Sequence, residues 1–123
     1  MLNYNAFVGR LTRDPDFREL SGDNAVIRFS IAVQRDFRNQ KGEFDADFIP
    51  CTAWGNKARI YRDHLYKGAL VSVRGAMRSS VYEDPGTNKK IYSLDLQVDA
   101  VDFLDPKKKA EDEGFKLAAD PLK

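Results

Sequence analysis

The chain has 123 residues, a mass of 14.0 kDa and a formal net charge of +1, which fits one domain whose 42% hydrophobic content supports a modest core. Its single cysteine, Cys51, excludes an internal disulfide framework and a multi-cysteine zinc site, and points to a reducing compartment. Met1-Leu2-Asn3-Tyr4-Asn5 has no secretory pattern and no apolar run nears the ~20 residues that cross a bilayer, so a cytoplasmic protein without a membrane partner is expected.

Taken in chain order, period-two alternation dominates. Asn5 to Thr12 reads as a first strand, with Gly9 marking a bulge or a close backbone approach and Asp14-Pro15 ending it. Leu20-Ser21-Gly22-Asp23-Asn24 is a turn signal. A second strand follows, with Ala25, Ile27, Phe29, Ile31 and Val33 on one face and Arg28, Ser30 and Gln34 mainly on the other. Asn39-Gln40-Lys41-Gly42 is a hairpin tip, and Phe48 to Trp54 is a third strand weakened by Pro50.

Asn56 to Tyr66 predicts a helix capped by Asn56, with Ala58, Tyr61 and Leu65 at helical spacing and Lys67-Gly68 as its stop. Leu70 to Gly75 opens a fourth strand that continues toward Tyr82, and Asp84 to Asn88 is a loop. Tyr92, Leu94, Leu96 and Val98 alternate with polar residues in a fifth strand. The apolar phase then shifts at Val101 and Phe103, as a bulge requires. Three strands, one helix and two strands match an all-β, five-stranded OB-fold Greek-key barrel with the helix between strands three and four. The same order also suits another small α+β sheet. Residues 1–106 form the expected domain, and 107–123 a short polar, flexible tail. A domain this small gains from association with its own copies.

Charge is segregated along the chain. Residues 55–90 carry eight basic and three acidic side chains, whereas 91–105 carry only the acids Asp95, Asp99, Asp102 and Asp105. A near-neutral chain patterned this way can present a basic groove or simply a charged surface.

Catalytic chemistry has little to stand on. His64, the only histidine, reads as a solvated helix residue, and Cys51 as an inert strand cysteine. There is no glycine-rich phosphate loop and no nucleophile elbow. Asp45, Asp47, Asp95 and Asp99 offer carboxylates for a metal, as in a nuclease, but alternate as the wet face of a sheet does. No enzyme, cofactor or metal is expected.

The aromatic residues say more. In the third strand Ile49, Cys51 and Ala53 share one parity, and Phe48, Pro50, Thr52 and Trp54 the other. If the first set faces the core, Phe48 and Trp54 point outward about 20 Å apart. Exposed rings invite stacking partners, and a nucleobase stack contributes ~1–3 kcal/mol with little dependence on base identity. Phe37 and Tyr82 extend the platform. Arg35, Arg38, Lys57, Arg59, Arg78, Lys89 and Lys90 lie close in sequence to these rings and suit phosphates. Arg10 and Arg74 complete the candidate phosphate-binding set. The competing reading places Phe48 and Trp54 in the core or a subunit interface.

Four segments resemble the bacterial-type single-stranded DNA-binding protein family, with its phage and plasmid members. They are Val8-Gly9-Arg10-Leu11-Thr12-Arg13-Asp14-Pro15, Phe29 to Arg35, Asp45 to Gly55, and Lys67 to Gly75, in one register from about residue 1 to 106. The resemblance implies an OB fold, a homotetramer with Asn3, Tyr4, Asn5, Ala6 and Phe7 at the subunit contact, and stacking at Phe37, Phe48, Trp54 and Tyr82. It implies sequence-independent coating of single-stranded DNA in replication, repair and recombination, at the nucleoid. The alternative is an OB module for single-stranded RNA or for a protein of a replication complex. Members of the family end in a long linker and an acidic tip with a final proline-phenylalanine pair. This chain ends Ala119-Asp120-Pro121-Leu122-Lys123, so impaired recruitment of replication and repair proteins is expected.

Overall fold

The computed structural model describes residues 1–105, and the expected tail, 107–123, lies outside the described residues. Its elements are β1 (Asn5–Leu11), β2 (Asp16–Leu20), β3 (Asn24–Arg38), β4 (Phe44–Trp54), α1 (Asn56–Arg62), β5 (Leu70–Glu83) and β6 (Lys90–Phe103). Five strands form a ring: β1 pairs with β5, β5 with β6, β6 with β4 and β4 with β3. The ring closes where β3 returns to β1 through Arg10–Ala32 and Leu11–Ile31. Only the β4–β6 pairing in it is parallel. This is the expected OB connectivity, with α1 between the third and fourth strands of the ring.

The sixth strand, β2, escapes the sequence pattern. It pairs with β3 from Asp16–Arg28 to Leu20–Asn24. Asp14-Pro15 breaks the first strand as expected, and the chain then resumes pairing on β3 beyond the break. Period two does not reveal β2, because Phe17 alone of its side chains packs against the core. The strands also run longer than alternation suggested. β3 continues to Arg38 and β4 begins at Phe44, because the hairpin between them stays paired past the barrel. Its tip is held by Asn39 Oδ1, which accepts from the Lys41 and Glu43 amides at 2.8 and 3.0 Å.

Pro50 fits β4 for a specific reason. It lies opposite Ser30, whose carbonyl turns away to accept from the Thr12 amide at 2.9 Å. Ser30–Pro50 is therefore a non-hydrogen-bonded pair, and the missing proline N–H costs that ladder nothing. On the other edge, pairing with β6 begins only at Cys51.

Gly9 is the close approach its position suggested. A Cβ there would lie 2.4 Å from the Ala32 carbonyl oxygen, beside the seam where β1 meets β3. The phase shift in the last strand is a bulge: Arg74 pairs with Ala100 but Gly75 with Val98, leaving Asp99 extra.

α1 is shorter than the predicted Asn56–Tyr66. Asp63 and His64 donate back three residues, to the Ile60 and Tyr61 carbonyls, which tightens the last turn and ends the helix. The cap differs too. Gly55, at φ 70°, occupies that position without a side-chain bond, and Asn56 is the first helical residue. Ala58, Tyr61 and Leu65 are buried as the spacing requires. They close one end of a core whose fully buried side chains include Ile27, Ile31, Cys51, Val71, Val73 and Leu96.

Candidate functional site

Alternation along β4 decides where its rings point. Cys51 and Ala53 are buried, so Phe48 and Trp54, of opposite parity, stand on the outer face. Phe48 is 66% exposed and Trp54 47%. Neither belongs to the core, which removes the core half of the competing reading. Phe44 shares their parity and is 42% exposed. It extends the line of rings, and the sequence does not reveal it because the strand signal starts only at Phe48. The Arg38 guanidinium lies 4.5 Å above the Phe44 ring and donates to the Gly42 carbonyl at 2.8 Å.

The outer faces of β3, β4, β5 and β6 border an open groove of about 660 Å³. Arg28, Ser30, Thr52 and Trp54 line one side, and Arg78, Ser80, Ser93, Asp95 and Gln97 the other. Arg13 and Asp16, from the break between β1 and β2, line it as well. Arg13, Arg28 and Arg78 have no side-chain hydrogen bond or ion pair among the described residues. Arg13 and Arg28 were absent from the predicted set. Arg28 had a signal, since it sits on the outward parity of its strand, opposite Thr52. Arg13 had none, because the fold of the break places it.

Tyr82 projects from the β5–β6 arm. It pairs with Ile91 two residues beyond the Ser80–Ser93 pair, on the groove-facing parity, and is 57% exposed. Lys89 and Lys90 lie at the end of the same arm, and their ammonium groups have no partner among the described residues. Phe37, 66% exposed, is set apart from the other rings. It follows the irregularity in β3 after Gln34 and lines a separate shallow hollow with Arg35 and Asp47. The structure brings Phe44, Phe48 and Trp54 onto one face, places Tyr82 on the facing arm, and puts Phe37 around the edge.

The remaining predicted cations are engaged within the fold. Arg35 grips Asp47 through both Nε and a terminal nitrogen, the shortest contact being 2.7 Å. This hydrogen-bonded pair pushes the Asp47 carboxyl below the ordinary range and the guanidinium above it. Arg59 donates to Glu19 at 3.1 Å, to Asn56 Oδ1 at 3.0 Å and to the Asp23 carbonyl at 2.9 Å, and so ties α1 to the β2–β3 turn. Its hydrogen bond holds the Glu19 carboxyl low. Lys57 donates to the carbonyl of the bulged Asp99 at 2.7 Å. Arg10 reaches the Gly68 carbonyl and Asp105, and Arg74 pairs with Asp102 at 3.2 Å.

The expected subunit-contact residues divide by parity. Tyr4 and Ala6 are exposed, while Phe7 turns inward and packs against the core. Asn3 is bonded to both backbone groups of Met77, extending the β1–β5 ladder. Asn5 donates to Asn3 Oδ1 at 3.0 Å.

The candidate carboxylates, the histidine and the cysteine do not converge. Asp45 accepts from Asn39, Asp47 from Arg35, and Asp95 from Thr52 and Gln97. Among the described residues no three metal-capable side chains converge. His64 donates to the Ile60 carbonyl and rests 5.4 Å from the Phe103 ring. Burial and the nearby Asp95 push the Cys51 thiol up to about 12, so the thiolate is scarce at neutral pH. No helix among the described residues is long and apolar enough to cross a membrane.

Residues 2–104 match the Single-strand binding protein family. The chain is 40% identical over 111 residues to "Single-stranded DNA-binding protein 2" of Listeria innocua, covering 90% of this chain and 69% of that one. It is 40% identical over 107 residues to "Single-stranded DNA-binding protein A" of Bacillus subtilis, covering 87% and 62%. It is 41% identical over 108 residues to protein B of the same organism, covering 87% and 94%. The chain thus spans about two thirds of the first two relatives and nearly all of the third.

Proposed function

The chain belongs to the single-strand binding protein family, and from this we propose that it coats single-stranded DNA without reading its sequence and without catalysis. One observation carries the reading: exposed rings on the outer face of β4 adjoin a groove edged by arginines that the described residues leave unpaired. Flat rings accept any base, and the cations between them neutralise phosphates. Phe44, Phe48 and Trp54 stack bases, with Tyr82 on the opposing arm and Phe37 continuing the path past the Arg35–Asp47 pair. Arg13, Arg28, Arg78, Lys89 and Lys90 supply the free charge, and Arg38 presents its guanidinium over Phe44. Residues 1–106 act as the binding domain, assembled as a homotetramer through the outward face of the first strand. The protein works in the cytoplasm at the nucleoid, in replication, repair and recombination.

The test is a titration of oligo-dT followed by quenching of Trp54, the only tryptophan. Tight, salt-sensitive binding is expected, and Trp54→Ala or Phe48→Ala, read by the polarisation of a labelled oligo-dT, should each weaken it by ~1–3 kcal/mol. Unchanged affinity in both variants would refute stacking. Preference for RNA over DNA of matched sequence would favour the RNA-binding alternative.

A further inference from the structure

We propose that Gln97 is a positioning residue that holds the Trp54 indole ready to stack, a role that rests on the binding reading above. Trp54 Nε1–H donates to Gln97 Oε1 at 3.2 Å. Gln97 Nε2–H donates to Asp95 Oδ2 at 3.0 Å, and the same oxygen accepts from Thr52 Oγ1 at 2.7 Å. Thr52 is the only buried polar residue among the described ones. The chain spans the parallel β4–β6 pairing, whose register sets Thr52 beside Gln97.

Its donor directions call for a two-sided group. An indole N–H only donates, and the Asp95 oxygen accepts from Gln97. A side chain bridging them must accept from one and donate to the other, as an amide does. Glutamate would set a second carboxylate against Asp95, and lysine would offer the indole nothing to accept its proton. Gln97 thus links a half-exposed ring to an anchor on the groove floor. A free indole would lose rotamer freedom when a base settles on it, whereas a tethered one has already lost it.

Because Trp54 is the sole tryptophan, its fluorescence reports on this side chain alone. In the full chain without DNA, Gln97→Leu is expected to lower the steady-state anisotropy of Trp54 while the melting temperature stays close to wild type. Affinity for oligo-dT should fall about threefold to tenfold, the range that freezing one side chain spans. In a Trp54→Phe background the ring keeps its face but has no N–H to place. There, Gln97→Leu should change affinity almost not at all. Equal losses in the two backgrounds would overturn the proposal, since Gln97 would then act through the sheet. Unchanged Trp54 anisotropy in Gln97→Leu would overturn it as well. Wild-type protein that ignores oligo-dT would instead defeat the binding reading, while the anisotropy of the free protein still decides whether Gln97 orders the indole.

Discussion

Arg28 and Arg59 separate a cation that meets phosphate from one that holds the fold. Arg28 lies on the groove wall opposite Thr52 and has no ion pair among the described residues. Arg59 makes four hydrogen bonds, to Glu19, Asn56 and the Asp23 carbonyl. Each phosphate neutralised on a single strand contributes ~0.7 to the slope of log affinity against log salt. Arg28→Gln should therefore flatten that slope by ~0.7. At about 0.1 M salt, relative to 1 M, the same term is ~0.7 log unit, so affinity should drop roughly fivefold. Arg59→Gln should leave the slope alone and lower the melting temperature, because α1 loses its tie to the β2–β3 turn. The assay is oligo-dT titration of both variants across a salt series, with thermal unfolding in parallel. An undiminished slope for Arg28→Gln, or an equal reduction for Arg59→Gln, would refute the division of cations drawn from their contacts.

Three further outcomes follow from particular contacts. Phe44→Ala should weaken oligo-dT binding by ~1–3 kcal/mol with little change in melting, measured beside Phe48→Ala; wild-type affinity would remove Phe44 from the platform. Gly9→Ala forces a Cβ to 2.4 Å from the Ala32 carbonyl, so urea unfolding should show a loss of ~1–3 kcal/mol, as for other overpacked sites. The carboxyl of Asp105 is held low chiefly by the Leu70 amide, with the Tyr66 hydroxyl and Arg10 adding to it, and Glu19 and Asp47 are held low by their arginines. Groups with depressed folded values stabilise the fold above their ordinary values of 3.8 and 4.5 and lose that effect as pH falls below them. Melting followed by circular dichroism should therefore be flat from neutral pH to about 5 and decline below about 4; a decline centred near pH 6 would contradict this.

Much of the fold was legible because its signals are local. Side chains alternate every two residues in a strand, so Cys51 and Ala53 inward and Phe48 and Trp54 outward follow from parity alone. The apolar phase change at Val101 likewise betrayed the bulge at Asp99. The short strand β2 was not legible, because only Phe17 of its five residues packs against the core. Nor was Phe44, whose strand extends past the apolar stretch that marked it.

The sequence by itself determined the alternation, the presence of the helix after the third strand of the ring and the break at Asp14-Pro15, because each depends on neighbours a few residues away. Only the tertiary structure decided which cations are free. Lys57 finds Asp99 across 42 residues and Arg59 finds Glu19 across 40. Proximity to an aromatic residue along the chain cannot show whether a charge is already satisfied by a carboxylate or carbonyl that folding brings to it. The same is true of the Trp54 indole, whose partner Gln97 lies 43 residues away and meets it only because β4 and β6 run side by side.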